Sequence, residues 1–208
     1  TTGVVVGATR TPTPVFSDAI QFLVVNPFWN VPVSIASKEM LPAIRENPDG
    51  YFARRNYEVV VDGRVVSPGS VAWDEKTIRR VRIRQRPGDG NALGNIKFMF
   101  PNEHSVYLHD TPSKAFFEKP VRAFSHGCVR VQDPLKFAEA LLAEEETLNA
   151  RRIERMIGGR EARLNLKTPV PVHLTYFTAV VGEDGAVDLR RDVYGYDARM
   201  MRALASAP

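Results

Sequence analysis

Cysteine is almost absent from this sequence: Cys128 is the only one in 208 residues, which excludes an internal disulfide. A lone cysteine is ordinarily a small buried hydrophobe, so its neighbours must decide whether it is more. Long apolar runs are missing as well. No stretch approaches the roughly 18–20 uninterrupted apolar residues of a membrane span, so stable insertion of this chain through such a helix is not expected. Thr1-Thr2 runs straight into an apolar segment with no basic stretch ahead of it, and no signal peptide is visible. Internal repeats and low-complexity tracts are also lacking.

What is present is ordinary for a globular chain: 44% apolar and 25% charged residues in a length that suits one domain, with room for an inserted subdomain. The net charge of +4 is mildly basic, and arginines crowd into Arg79-Arg80-Val81-Arg82-Ile83-Arg84-Gln85-Arg86. There Arg80, Arg82, Arg84 and Arg86 alternate with Val81, Ile83 and Gln85, the period of a strand with one solvated face. A surface for an anionic ligand is the alternative. Nucleic acid is not an expected partner, because no aromatic-interleaved basic module accompanies the run.

Along the chain, Val4–Val6 and Ala19–Val25 read as strands joined by a turn with two prolines, and Gly3-Val4-Val5-Val6-Gly7 reads as a strand needing neighbours upstream. Asn26-Pro27-Phe28-Trp29-Asn30-Val31-Pro32 breaks regular structure. Ser37 is a plausible N-cap for a short helix ending near Asn47-Pro48-Asp49-Gly50. Asp62-Gly63 between two β-rich runs predicts a hairpin. Two short strands are expected at Ile96–Phe100 and Val106–Leu108, then a loop from Thr111 to Ser125 and a short strand at Val129–Val131. Asp133-Pro134 opens one helix, Asn149–Ile157 forms a second, and 170–189 closes the domain as a hairpin. The pattern is a β-rich α+β domain, with helices grouped late rather than alternating with strands.

Chemistry concentrates in Leu108-His109-Asp110-Thr111 and Phe124-Ser125-His126-Gly127-Cys128-Val129-Arg130. Two of the four histidines and the only cysteine fall there. A thiol at neutral pH is only a few per cent thiolate unless a base or cation assists it. A histidine ending one strand and a cysteine starting another can meet if the strands are neighbours. Gly127 permits close backbone packing and lets the Gly127 and Cys128 amides point at a developing oxyanion. A zinc site from His109, His126 and Cys128 lacks a fourth ligand at short spacing, so no metal or other cofactor is expected. His104 reads as solvated and His173 as packed.

Ser125-His126-Gly127-Cys128, preceded by His109, resembles the signature of the L,D-transpeptidase, or YkuD, domain. Asn26–Pro32, Asn91–Gly94, Lys97-Phe98, Phe100-Pro101-Asn102, Tyr107–Pro112 and Asp192-Val193-Tyr194-Gly195 resemble its branch of large periplasmic enzymes with a substrate-capping insertion. Many family members carry glycine where this chain has Asp110, although the capping branch is similar to it here.

The resemblance implies an α+β, mixed-sheet or sandwich-like catalytic domain over residues 1–208, lacking its first strands, with a capping insertion at 34–86. It implies Cys128 as nucleophile, His109 as base held by a nearby backbone carbonyl, and His126 and Gly127 beside the reacting group. Arg130 would hold the motif strand or a substrate carboxylate, with Ser125, Tyr107, Asp110, Trp29 and Asn91 also on the substrate side. Trp29 reads equally as a core anchor. The implied reaction cuts a tetrapeptide stem of peptidoglycan at its terminal D-alanine and passes the acyl group to an amine, giving 3→3 diaminopimelate cross-links in the periplasm. An outer-membrane protein is an alternative acceptor, hydrolysis by an L,D-carboxypeptidase or endopeptidase the rival reaction, and a silent wall-binding module the rival role. Carbapenems are the implied inhibitors.

Overall fold

The alternating and proline-broken segments of the sequence become thirteen strands in a computed structural model that describes residues 1–146 and 148–206; residues 147, 207 and 208 of the expected domain lie outside the described residues. In chain order the strands are β1 (Val4–Gly7), β2 (Phe16–Val25), β3 (Trp29–Asn30), β4 (Tyr57–Val61), β5 (Arg64–Val66), β6 (Arg82–Gln85) and β7 (Ile96–Met99). There follow β8 (Leu108–His109), β9 (Ala123–Ser125), β10 (Val129–Val131), β11 (Ala162–Leu174), β12 (Ala179–Val181) and β13 (Val187–Leu189). Seven of them form one mixed sheet in the order β11-β2-β7-β8-β10-β1-β9. The parallel pairs are β10–β8 and β1–β9; the rest of that sheet is antiparallel.

Alternation decides which face each strand buries. In β7, Ile96 and Phe98 are fully buried while Lys97 and Met99 point to the other side. Ile20, Leu23, Val25, Phe98, Leu108, Val129 and Val131 make one core, closed by helices α4 (Pro134–Leu141) and α5 (Ala150–Met156) through Ala138 and Ile153. Truncating a fully buried aromatic such as Phe98 to alanine costs about 3–5 kcal/mol in cores of this kind.

A second sheet, β3-β6-β4-β5, has a core of its own from Val31, Met40, Leu41, Ile44, Phe52, Val59 and Ile83. Its helices are α1 (Val33–Ile35), a π-helical turn at Ala36–Met40, α2 (Leu41–Glu46) and α3 (Pro48–Arg54). Here one expectation changes and two are refined. Ser37 caps nothing, because the helix begins at Val33 after Pro32. Asn47 ends α2 as expected, but it also starts α3, its side chain accepting from Gly50 N at 2.8 Å. The arginine run is solvated as expected at Arg80, Arg82 and Arg86; Arg84 is half-buried, and it and Arg86 both clamp the buried carboxylate of Glu58, at 2.7 and 2.5 Å.

The first strand also departs from expectation. β1 needs no upstream neighbour, because its two edges are taken by β10 and β9 from much later in the chain. The closing hairpin forms, but from β12 and β13 alone, because 170–174 belongs to β11 and pairs with β2; α6 (Tyr196–Ala205) after it is an unforeseen helix. His173 lies on the exposed side of β11, bonded to Ser17 Oγ at 2.8 Å, since Val172 and Leu174 take the inward positions. The loop expected over 111–125 holds a 3₁₀ turn, Lys114–Glu118, and β9.

Candidate active site

The sheet brings together residues that the sequence leaves far apart. Arg130 on β10 pairs with His109 on β8, and Lys97 on β7 pairs with His109 from the opposite side. Directly paired residues share a face. Lys97, His109 and Arg130 therefore form a row across three adjacent strands, opposite the face that buries Phe98, Leu108 and Val129.

Cys128 sits in the turn that joins β9 to β10, which bridges across the end of β1 because β1 lies between those strands. That turn is braced from within: Ser125 Oγ donates to the Cys128 carbonyl and accepts from Gly127 N at 3.1 Å. It is also tied down from outside. Thr13 Oγ1 donates to the Gly127 carbonyl at 2.8 Å and accepts from Gly7 N at 2.9 Å, and Thr11 Oγ1 reaches the Ser125 carbonyl at 3.1 Å. Gly127 has φ of +117°, a conformation that side chains disfavour even though a Cβ there would meet only Val106, at 3.9 Å.

His109 is almost wholly buried, with Nδ1 against the backbone carbonyl oxygen of Asp110. That contact places the proton on Nδ1 and leaves Nε2 as the basic nitrogen. Burial, reinforced by Arg130 and Lys97, outweighs the Asp110 contact and pushes the imidazole down to about 4. Burial likewise raises the Cys128 thiol, opposed by the Tyr107 N–H and hydroxyl and by the charges of Lys97 and Arg130. At neutral pH the pair therefore rests as thiol and neutral imidazole, not as a preformed ion pair. Such an arrangement suits general-base activation of a nucleophile.

The other expected residues divide. Tyr107 lies beside the pair, its ring 5.7 Å from that of His109. Arg130 Nε and Nη1 are buried with no hydrogen-bond partner among the described residues, and its guanidinium stands 5.5 Å over the Phe116 ring. His126 is half exposed and meets Glu39 of the π-helical turn at 2.8 Å. The oxyanion expectation changes for Gly127, whose N–H is spent on Ser125; the Cys128 N–H keeps no partner among the described residues.

Four residues expected on the substrate side are otherwise engaged. Ser125 uses its hydroxyl inside the turn. Asp110 gives one carboxylate oxygen to Asn95 N at 2.9 Å and the other to Lys114 Nζ at 2.6 Å. Asn91 spends its amide on the carbonyls of Pro27 and Arg86 and on Leu93 N. Trp29 packs against the second core, 6.2 Å from Tyr57.

Sequence reasoning missed Thr13, Glu39 and Lys97 as neighbours of the site. A charged residue inside the apolar run Ile96-Lys97-Phe98 was the one local signal; register, which the sequence does not spell out, supplies the rest. A cavity of about 550 Å³ opens between Arg54, Arg55, Tyr57, Gln85, Pro112 and Ser113, and none of the cysteine–histidine residues lines it.

A mixed sheet that carries a buried histidine on the strand next to the one following a glycine-preceded cysteine is an arrangement that acyl transfer through a thiol can use. Residues 1–172 match YkuD, the L,D-transpeptidase catalytic domain. A Haemophilus influenzae protein named "Putative L,D-transpeptidase" is 35% identical over 199 residues, covering 95% of this chain and 40% of that protein. The chain belongs to the L,D-transpeptidase catalytic domain family, and spans about 40% of the length of the curated relative it matches. No helix among the described residues is long and apolar enough to cross a membrane.

Proposed function

We propose that this domain is a peptidoglycan L,D-transpeptidase of the cell envelope, with Cys128 as nucleophile and His109 as general base. The observation that carries the reading is the His109 imidazole, neutral, fixed by the Asp110 carbonyl at Nδ1, and carried on the strand next to the one that begins after Cys128. His109 Nε2 takes the thiol proton as Sγ attacks the carbonyl between the L-centre and the terminal D-alanine of a tetrapeptide stem. The oxyanion so formed accepts from the Cys128 N–H. Collapse expels D-alanine, whose amine takes the proton back from His109, and leaves a thioester. An amine of a second stem, the diaminopimelate side chain, then attacks the thioester; His109 removes its proton and Sγ departs. The buried, unpartnered Arg130 nitrogens offer a carboxylate of the donor stem a charge-assisted bond.

The insertion at 34–86 acts as a cap over this site. Contact of Glu39 with His126, beside the nucleophile, supports that role.

Purified tetrapeptide stems test the reading. Dimers linked 3→3 with release of D-alanine are expected, and none with Cys128→Ala. Tripeptide alone would assign the domain to hydrolysis instead, and equal behaviour of wild type and Cys128→Ala would leave only a binding role.

A further inference from the structure

Lys97 is the member of the charged row that the mechanism above does not use. It flanks His109 on one side as Arg130 does on the other, on the same face of three neighbouring strands. Its ammonium stands 5.0 Å above the centre of the Tyr107 ring, and Tyr107 lies against Cys128. No carboxylate among the described residues forms an ion pair with it. A half-covered ammonium with no ion-pair partner is costly, and an aliphatic side chain would fill the same position at lower cost. The charge of Glu161 acts on it without a close ion pair, and a negative charge on the cysteine side appears only when Cys128 ionises or its adduct forms.

The surrounding groups agree. Burial lowers the Lys97 pKa, while the charges of Glu161 and Cys128 raise it. The ionisable groups that act on the thiol are Lys97 from β7, Tyr107 just before β8 and Arg130 from β10, and His109 on β8 lies between Lys97 and Arg130. His126, two residues before the thiol, is occupied by Glu39 from the π-helical turn. In many cysteine enzymes an imidazolium is the thiolate's counter-ion. A histidine this buried does not hold that charge at rest, which leaves Lys97 and Arg130 as the cations that act on the sulfur as it ionises.

We infer that Lys97 is an electrostatic positioning residue of the reaction, whose ammonium stabilises the Cys128 thiolate and the oxyanion that follows attack, opposite Arg130 across His109. The inference rests on Cys128 being the nucleophile proposed above.

Alkylation by iodoacetamide reads it directly, because Cys128 is the only thiol in the chain. The rate would be followed by intact mass across a pH series for wild type, Lys97→Met, Lys97→Gln and Lys97→Arg, with Cys128→Ala as blank and thermal unfolding as a fold control. Lys97→Met, which keeps the stem and drops the charge, should react about tenfold more slowly at neutral pH, with its alkaline midpoint about one pH unit higher. Lys97→Arg should restore the wild-type profile. Superposed profiles for wild type and a folded Lys97→Met would overturn the inference, as would an arginine variant no faster than the neutral ones. Lys97→Gln decides the matter if the methionine variant fails to fold. The readout needs no acyl transfer. A Cys128→Ala protein that still released D-alanine would sink the mechanism while leaving the thiol measurement intact.

Discussion

His109 sits in the fold as a neutral imidazole, and this has a consequence for stability as well as for the proposed reaction. Its folded-state pKa of about 4 lies below the ordinary value of 6.5. As pH falls from 6.5 toward 4, the unfolded chain takes up a proton that the folded one refuses, so stability is lost across that window. A difference of this size corresponds to about 3 kcal/mol once pH is below both values. Denaturant titrations at several pH values should find that His109→Gln loses this part of the pH dependence while also losing about 10²–10⁴-fold in turnover. A variant as acid-sensitive as wild type would place the proton uptake elsewhere. At the same scale, a carbapenem should acylate the wild-type protein once, read by intact mass, and leave Cys128→Ala unmodified. The cysteine, both motif histidines and Arg130 were legible at this level because unlike reactive residues crowd one short stretch. Lys97 was not, since one lysine in an apolar strand looks like any solvated position until the register is known.

Elements explain why the turn holds its shape. Thr13 reaches it from the loop after β1, bonding both Gly7 and the carbonyl of Gly127. Replacing Thr13 with valine removes both bonds at nearly constant volume, which should cost about 1–3 kcal/mol and lower transfer about tenfold through a loosened Cys128. Urea unfolding and dimer-formation rates would check this; an unchanged rate would make Thr13 a stability residue only. Gly94 is the stricter case. Its φ is +59°, and a Cβ there would stand 2.3 Å from the Asp110 carboxylate that accepts from Asn95. Gly94→Ala should therefore destabilise the protein more than Thr13→Val does. Hairpins and strand alternation were visible in the sequence, through Asp62-Gly63 and the two-residue period of Ile96–Met99. Helix starts were not. Pro32 and Asn47 both serve as N-caps next to residues that read as breakers, so local punctuation pointed the wrong way.

For the whole molecule, the arrangement of two sheets with separate cores was partly legible, because residues 34–86 carry a helix, a hairpin and an arginine strand and none of the cysteine–histidine machinery, although that sheet also takes in β3 ahead of those bounds. Glu39 and His126 link the two parts at the site, an exposed pair worth at most about 1 kcal/mol. So weak a link suits a cover that opens. Replacing the insertion with a short linker should spare alkylation of Cys128 but lower the ratio of transfer to hydrolysis, as water gains access to the thioester. An unchanged ratio in a folded protein would show the insertion to be a rigid decoration. The pairing of β1 was the least legible feature, since nothing in a short apolar segment names partners so distant.

That pairing has a consequence in time. Thr13 and Gly127 are 114 positions apart, and β1 lies between the strands on either side of the catalytic turn. Closing so long a loop is entropically costly and slow, and contacts of this separation form late. During synthesis and refolding the thiol thus exists before the apparatus that arms it, and the nascent chain passes through a chemically quiet stage. Reactivity then arrives as a report that the start of the chain has met its middle.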